Sequence, residues 1–342
     1  MNSNNFRAHP FYLFFQAQTS EPKSKLKTTN KVNSKRIALQ NVIMSMQVLQ
    51  HSTMPAHRSN MSQAFSNPPH ERLRPITSRQ NSLVKDLRKA FSQATPAEDG
   101  SVAIEGVKLV EEAIRSGLRL RAVIFAESAR ERANRLLPQL GHATETIVLP
   151  DDIFQSAVAS ETPQGVAALV YPLISTVEDL FRPTSENASE IATPLILGCA
   201  GLQDPGNLGT IIRSAEAFGA TGVLTTDGTV SSANPKVARA SAGSLFRLPV
   251  VKLTTAEALT ALADNSIRLA VTSSHKGRPV QEIDLTLRTA IFIGNEGQGV
   301  PRILLDAADD AILIPHSPKV ESLNAGIAAS ILLYEAQRQR SK

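Results

Sequence analysis

Three polar stretches in the second half of the chain carry the residues whose types and spacing could do chemistry. They span residues 204–213, 294–301 and 315–324, and they are rich in Asn, Ser, Gly and Pro. Amide and hydroxyl side chains donate and accept hydrogen bonds, and glycine lets the main chain approach a ligand closely. In the first stretch, Asp204-Pro-Gly should form a sharp turn, and we expect Asn207 to cap the helix that follows. A capped helix with N–H groups pointing outward suits an anionic partner.

Each of these stretches follows a predicted strand. Apolar runs at 194–199, 291–293 and 312–314 read as strands, and helical spacing of apolar residues predicts helices over 208–218 and 323–337. In an open α/β sheet, ligands bind outside the carboxyl ends of the strands. The three stretches are therefore expected to line one pocket.

Arg213 lies six residues beyond Asn207, well inside the predicted helix. Its guanidinium would have to swing back toward the loop for both residues to meet one ligand. On this stretch alone, a capped helix with a surface arginine explains the pattern equally well.

Taken together, the three stretches resemble the SpoU (TrmH) family of RNA ribose 2′-O-methyltransferases, part of the SPOUT superfamily. The family's first motif is matched by residues 207–220, its second by Gly294-Asn-Glu296-Gly297, and its third by Ser322-Leu-Asn324. Residues 234–243 also resemble a helix that the family carries between its first two motifs. The resemblance implies an S-adenosylmethionine-dependent enzyme with a trefoil-knotted α/β domain, normally a homodimer. Periodicity alone would predict a plain doubly wound sheet, because knots are exceptions to the usual topology rules.

The resemblance also implies which residues form the site. It places the cofactor against main chain and apolar groups, and the residues it indicates are Thr272, Ser273, Gly294, Gly297, Ile314 and Leu323. The catalytic residues it indicates are Asn207, Arg213, Glu296, Ser322 and Asn324.

We expect a particular division of labour among these catalytic residues. A guanidinium stays protonated in proteins, so Arg213 is expected to clamp a phosphate and favour a developing alkoxide rather than act as a base. Asn207, Ser322 and Asn324 would orient hydroxyl, water and cofactor carboxylate, while Glu296 would shape its loop or pair with Arg213.

The same positions could instead serve the fold. Ser322 is alternatively a helix N-cap and Asn324 a polar residue of the first helical turn. His275 and His316 lie near these loops in the sequence, and we expect both to face solvent.

The first half of the chain predicts a smaller α/β domain over residues 71–171. Helices are expected from Thr77 or Ser78 to 91, over 105–115 with a glycine stop at Gly117, and over 129–140; strands are expected over 121–125, 146–149 and 165–171. The helix start at Glu105-Gly106 and the Thr162-Pro-Gln-Gly165 turn resemble the substrate-binding domain of many SpoU-type enzymes. Residues 172–192 read as a linker with one helical turn at 177–181, leaving 193–342 for the methyltransferase domain.

Residues 1–70 have the composition of a disordered basic tail. They hold eight of the 36 Lys and Arg and one of the 31 Asp and Glu, a net charge of +7, so the remainder of this +5 chain is close to neutral. An organelle transit peptide would have a similar composition, and an internal start codon, such as that of Met61, would remove the segment altogether. The corresponding locations are the cytoplasm or, with a transit peptide, an organelle.

One basic cluster remains within the folded part of the chain, and we expect it to contact RNA. With Arg72, it comprises Arg74, Arg79, Lys85, Arg88 and Lys89. Ribosomal RNA is the first choice of substrate, because a separate substrate-binding domain precedes the catalytic one, and transfer RNA is the alternative.

Several other classes of protein fit the sequence less well. Its apolar runs are too short to span a membrane, and its single cysteine, Cys199, excludes an internal disulfide or a multi-cysteine zinc site; we expect this thiol to be a core residue and no metal to bind. A non-catalytic RNA-binding relative would not need every polar motif position filled. A nucleotide-phosphate-binding enzyme is suggested by the glycines of 294–299, but their spacing fits no dinucleotide fingerprint or P-loop.

Overall fold

The computed structural model describes residues 72–182, 193–273 and 276–341. The predictions for the basic tail, for residues 183–192 of the linker and for His275 lie outside these ranges. Within the described ranges, none of the helices is both long and apolar enough to cross a membrane, and no group of His, Cys, Asp or Glu is arranged to hold a metal ion.

The first half of the described chain is built on a mixed five-stranded sheet. In chain order its elements are β1 (Arg74–Pro75), α1 (Ser82–Gln93), β2 (Val102–Glu105), α2 (Val107–Arg115), β3 (Leu120–Ala126), α3 (Arg130–Leu136), β4 (Glu145–Leu149), α4 (Asp151–Ala157) and β5 (Val166–Val170). The strand order is β1-β4-β3-β5-β2; β1, β4 and β3 are parallel, and β5 is antiparallel to both of its neighbours. The α/β class predicted for this half is confirmed.

Three helix boundaries in this half differ from the predictions. Asn81, rather than Thr77 or Ser78, caps α1, and its side chain accepts a hydrogen bond from the Leu83 N–H at 3.0 Å. Glu105 ends a strand instead of starting a helix, since Gly106 at φ +106° turns the chain before α2. The helix predicted over 129–140 is three pieces, α3 flanked by 3₁₀ turns at Glu127–Ala129 and Leu137–Gln139, and the break coincides with Pro138, which has no N–H to continue the helix.

The second half is built on a seven-stranded parallel sheet. Its elements are β6 (Leu195–Ala200), α5 (Pro205–Ala217), β7 (Gly222–Thr225), α6 (Pro235–Ala240), β8 (Val250–Lys252), α7 (Thr255–Asp264), β9 (Arg268–Thr272), β10 (Arg278–Pro279), β11 (Thr289–Gly294), α8 (Arg302–Ala307), β12 (Asp310–Leu313) and α9 (Ala325–Arg340). The strand order is β10-β12-β9-β11-β6-β7-β8. All three strands predicted to precede the polar stretches are present; the knot implied by the resemblance stays a prediction.

Apolar residues cover both faces of this sheet, as a parallel sheet requires. Helices α5 and α9 pack on one face; α7, α8 and the 3₁₀ turn Val177–Phe181, at the predicted helical turn of the linker, pack on the other. At the centre, β6 and β11 lie so close that a Cβ on Gly198 would be 2.5 Å from the Phe292 ring, so only glycine fits there. Cys199 is fully buried beside it, which confirms the core role predicted for this thiol, and burial raises its pKa to about 12.

Two arginines of the second half join it to the first. Arg239 of α6 lies 3.2 Å from the carboxylate of Glu105, whose side chain is only 4% exposed. Arg247 binds Glu112 of α2 at 3.0 Å and Glu216 of α5 at 2.6 Å. The hydrogen bond to Glu216 is the main reason that the pKa of Arg247 lies above its usual value. Charged contacts therefore fix the two sheets against each other.

Candidate active site

The first polar loop is organised by Asp204. Its carboxylate accepts a 2.6 Å hydrogen bond from the Asn207 N–H, and Pro205 occupies the first helical position of α5. Asn207 therefore lies in the first turn of the helix, and its predicted role as N-cap is wrong, because proline at the first helical position fixes the cap at Asp204, three residues earlier. The Asn207 amide is consequently free to reach across to the second loop.

The second polar loop meets the first at Glu296. The Asn207 Nδ2 donates to Glu296 Oε1 at 2.9 Å, joining residues that are 89 positions apart. Glu296 therefore interacts with Asn207 and not with Arg213, the partner that one prediction gave it; the alternative, that it shapes its own loop, stays a prediction. The carboxyl end of β6 and that of β11 are linked by this contact.

Asn295 shapes the second loop, a role that the sequence analysis missed. Its Oδ1 accepts from the N–H groups of Gly297 and Gln298 at 2.9 and 3.1 Å, and its Nδ2 donates to the Gly201 carbonyl at 2.9 Å. Its main chain also exchanges two hydrogen bonds with Gly299, at 3.0 and 2.9 Å. An asparagine that bonds to backbone N–H groups two and three residues ahead is a recognised turn signal, and it was available in the sequence.

Gly294 allows this turn to close. A Cβ on Gly294 would lie 2.0 Å from the carbonyl carbon of Gly299 and 2.2 Å from the Val300 nitrogen. No side chain fits between these two backbone segments. The wall of the site at the end of β11 is therefore main chain.

The second and third polar loops, together with the loop that follows β9, line a cavity of about 380 Å³ at the carboxyl ends of β9, β11 and β12. All six residues expected to contact a cofactor line it, together with Glu296 and Ser322: Thr272, Ser273, Gly294, Gly297, Ile314 and Leu323. Further residues outside the predicted set also line it, among them the polar Gln298 and the acidic Glu321. The second and third polar stretches therefore share one pocket, as predicted, but no residue of the first stretch, 204–213, lines it, and that part of the prediction is wrong. The first stretch meets the pocket through the hydrogen bond between Asn207 and Glu296.

The third loop leads into α9 through Asn324. Its Oδ1 accepts from the N–H groups of Gly326 and Ile327, so Asn324 is the N-cap; neither the cap predicted at Ser322 nor a first-turn position for Asn324 is found. Ser322 is exposed at the cavity edge, whereas Asn324 does not line the cavity. His316 was expected to face solvent, but it is half-buried and lines the cavity; its Nδ1 lies 2.7 Å from the Ile314 carbonyl oxygen, and this contact holds the imidazole against the main chain.

Arg213 lies on the exposed side of α5 and does not line the cavity. Within the described ranges its guanidinium makes no hydrogen bond or ion pair. It is available to an external ligand, while its neighbours on the same helix, such as Ile212 and Ala215, are buried.

Most of the basic residues predicted to contact RNA already have partners. Arg74 pairs with Glu145 at 2.8 Å and Arg79 with Asp152 at 2.6 Å; the hydrogen bond from Arg79 is the main cause that lowers the pKa of Asp152. Lys89 contacts Glu98, Arg88 contacts Ser156, and Arg72 donates to the carbonyl groups of residues 137, 140 and 141. Among the described residues, Lys85 is the only member of the cluster without a partner.

Comparison with known proteins shows the family to which the chain belongs. Residues 194–334 match the model of the SpoU rRNA Methylase family, and residues 81–168 match that of the MRM3-like substrate binding domain. The 23S rRNA (guanosine(2553)-2'-O)-methyltransferase RlmP of Bacillus subtilis is 32% identical over 262 residues, which are 77% of this chain and 98% of RlmP. The chain belongs to the SpoU methyltransferase family.

Two solved SpoU-type structures with bound AdoMet share this fold. AviRb from Streptomyces viridochromogenes superimposes with a TM-score of 0.66 at 27% identity, covering 77% of this chain and 99% of AviRb. An rRNA methyltransferase from Sinorhizobium meliloti also superimposes with a TM-score of 0.66, at 26% identity, and the match covers 78% of this chain and 98% of the Sinorhizobium chain. The SpoU-family chain described here is thus an RNA methyltransferase, and S-adenosylmethionine is its cofactor.

The cavity of this SpoU-family protein has the properties that such a cofactor needs. Its volume lies within the range of small-molecule sites, roughly 300–1,000 Å³. The closed turn at Gly294 and Gly299 presents main-chain groups to the cavity, and Ile314 and Leu323 supply apolar walls. Carboxylates at Glu296 and Glu321 stand at the polar part of the lining, where a positively charged sulfonium or amino group would be favoured.

Proposed function

We propose that this protein methylates the 2′-hydroxyl of a ribose in ribosomal RNA. The observation that supports this most directly is the 2.9 Å hydrogen bond between Asn207 and Glu296, which ties the first motif to the edge of the cofactor cavity. When bound, S-adenosylmethionine supplies an electrophilic methyl group. The protein must then hold a ribose hydroxyl in line with that group and manage one proton.

Asn207 is proposed to position the hydroxyl. Its main-chain N–H is occupied by Asp204 and its Nδ2 by Glu296, which fixes the amide orientation and leaves its Oδ1 to accept the hydroxyl proton in a hydrogen bond. A fixed acceptor of this kind orders the nucleophile without being titrated itself.

Arg213 is proposed to bind the phosphate beside the target ribose. It is exposed and has no partner in the described part of the chain, so a phosphate does not have to displace an existing ion pair. A guanidinium binds phosphate with two parallel hydrogen bonds and stabilises a developing alkoxide by its charge. Ser322, at the cavity edge, is proposed to orient a water or the cofactor carboxylate.

Asn324 is proposed to hold the third loop in place by capping α9. Both hydrogen bonds of its Oδ1 go to the first turn of α9, so it fixes the start of the helix that follows the third motif. This places Leu323 against the cavity, and the function of Asn324 is then to hold the loop rather than to touch the reacting atoms.

Ribosomal RNA is proposed as the substrate for two reasons. The chain carries a domain that matches a substrate-binding model ahead of its catalytic domain, and RlmP, which matches over nearly its whole length, is named as a 23S ribosomal RNA 2′-O-methyltransferase. Transfer RNA is the alternative, because another relative at 33% identity, slr1673 of Synechocystis, is named as a tRNA/rRNA methyltransferase.

A homodimer is proposed on the exposed apolar face of α9. Ile327, Ile331 and Tyr334 recur at helical spacing and are 54%, 37% and 56% exposed. Three large apolar side chains in one row favour burial against a second copy.

The reaction and the class of RNA can be tested together. The full-length protein is incubated with S-adenosylmethionine carrying an isotopically labelled methyl group and, separately, with unmodified ribosomal and transfer RNA; the digested nucleosides are then analysed by mass spectrometry. Labelled 2′-O-methyl nucleosides from ribosomal RNA are the expected result. Label on a base would refute ribose methylation, and label only in transfer RNA would replace the substrate.

A further inference from the structure

A second cavity lies between the two sheets, away from the cofactor cavity. Its volume is about 590 Å³. Its walls come from the end of β2 and the start of α2, from the loop before β5, and from α6 of the methyltransferase half: Glu105, Gly106, Lys108, Leu109, Glu112, Ser160, Thr162, Gln164, Arg239 and Ala242. We call it the interdomain cleft.

The carboxylates of the interdomain cleft are neutralised by arginines. Glu105 is paired with Arg239 at 3.2 Å, and Glu112 with Arg247 at 3.0 Å. Lys108, exposed on the first turn of α2, has no acidic partner among the described residues. The unpaired charge facing this cleft is therefore positive.

A further cation, Arg132, lies next to the cleft and contacts one of its lining residues. The Arg132 guanidinium donates to the Gln164 carbonyl, and its charge meets no carboxylate in the described ranges. Its positive charge adds to that of Lys108 in attracting an anionic polymer to this side of the protein.

The rest of the cleft lining is neutral and polar. Ser160 Oγ accepts a 2.8 Å hydrogen bond from Arg239, and Gln164 Oε1 accepts a long 3.4 Å hydrogen bond from the Val107 N–H. Thr162 is exposed between them in sequence. Hydroxyl and amide groups of this kind bind ribose hydroxyls and base edges, the groups by which proteins recognise unpaired RNA.

The cluster on α1 offers less to RNA than the interdomain cleft does. Arg74, Arg79 and Lys89 would each have to give up an acidic partner to bind a phosphate. The cleft combines the unpaired cation Lys108, hydrogen-bonding groups and a concave shape in one place. It is also walled by both the domain that matches a substrate-binding model and the methyltransferase half.

We propose that the interdomain cleft binds a single-stranded part of the substrate RNA, with Lys108 and Arg132 on phosphates and with Thr162 and Gln164 on a nucleoside. This inference rests on the proposed function of the protein as an RNA methyltransferase. It assigns RNA contacts to residues outside all three sequence motifs. RNA held here would be gripped by both halves of the protein while its target ribose enters the active site.

Reversing the charge of one basic residue at a time tests this proposal. The full-length protein is compared with Lys108→Glu, with Lys85→Glu in the α1 cluster, and with Arg288→Glu at the opposite, amino-terminal edge of the large sheet as a control for net charge. Binding of transcribed, unmodified large-subunit ribosomal RNA is measured by filter retention at several salt concentrations, alongside cofactor binding by calorimetry and methyl transfer.

Lys108→Glu is expected to weaken RNA binding and raise the KM for RNA about tenfold, to reduce the salt slope by about one, and to leave kcat and cofactor affinity unchanged. Thr162→Ala, which changes no charge, should weaken RNA binding without altering the salt slope. Lys108→Arg should restore binding, which a merely structural role would not require.

Two results would overturn the cleft assignment. One is a Lys108→Glu variant that binds RNA as Arg288→Glu does; the other is a large loss with Lys85→Glu alone, which would return the contact to α1. Failure of the unaltered protein to methylate any RNA is a separate readout, and it would refute the proposed function instead.

Discussion

Replacing Gly294 by alanine tests whether the cofactor wall is main chain. The added Cβ would lie 2.0–2.2 Å from the backbone of Gly299 and Val300, more than 1 Å closer than an ordinary contact, which begins at 3.4 Å. The turn must open, and the two backbone hydrogen bonds between Asn295 and Gly299 are lost with it. Two hydrogen bonds at about 1 kcal/mol each and about 1–3 kcal/mol of overpacking give roughly 3–5 kcal/mol.

That energy sets the expected change in cofactor affinity. Since 1.4 kcal/mol corresponds to a factor of about ten, S-adenosylmethionine should bind Gly294→Ala at least about 100-fold more weakly. The comparison variant is Gly141→Ala, which lies outside the cavity and whose Cβ would meet no atom within 4 Å. It should bind within about threefold of the unaltered protein, as expected for a substitution without strain.

Isothermal titration calorimetry measures both affinities, and circular dichroism checks that each variant is folded. Equal affinity in the two alanine variants would refute the reasoning, because it would mean that closure of the turn does not form the cofactor site. Global unfolding of Gly294→Ala would show instead that the turn stabilises the whole sheet.

The remaining predictions concern four other positions. Arg213→Ala should abolish methyl transfer while cofactor affinity and the thermal midpoint stay unchanged, as the side chain is exposed and unpartnered within the described residues; loss of cofactor binding as well, measured by calorimetry, would make it structural. Asn207→Asp places a carboxylate 2.9 Å from that of Glu296 and should lower kcat by about 100-fold, more than Asn207→Ala does, in a labelled-methyl assay; equal rates would count against the contact. Ile331→Glu should convert a dimer into a monomer in light scattering, and an unchanged mass would place the interface elsewhere. Ellman's reagent should modify Cys199 only after unfolding, because burial raises the pKa of its thiol to about 12; rapid reaction of the native protein would contradict this.

The cofactor cavity could be predicted from the sequence because its parts are local. Apolar runs ending in Gly294 and before Pro315 mark parallel strands, and such strands bring their carboxyl ends to one edge. Every residue expected to contact the cofactor therefore lines one cavity, even though the strands are separated by other elements.

The contacts made by individual side chains were harder to predict, since they depend on distant neighbours. Asp204 and Asn207 are both good caps, and the presence of Pro205 was the signal that decides between them. Asn295 holds the Gly201 carbonyl, 94 positions away. The basic residues ahead of α1 looked unpaired because the acidic partners of Arg74 and Arg79, Glu145 and Asp152, lie about 70 residues further along the chain.

The position of the cofactor cavity also has consequences for how the protein folds. Its three loops follow β9, β11 and β12, and each parallel pairing joins segments that are distant in the chain. Long-range pairings form late and slowly, so the cavity does not exist until the sheet is nearly complete. A cofactor that binds only the finished fold raises its stability by mass action, by about 2.7 kcal/mol at a concentration 100 times its Kd. The concentration of S-adenosylmethionine while the chain is being translated would then affect the fraction of the protein that is folded, in addition to the rate of methyl transfer.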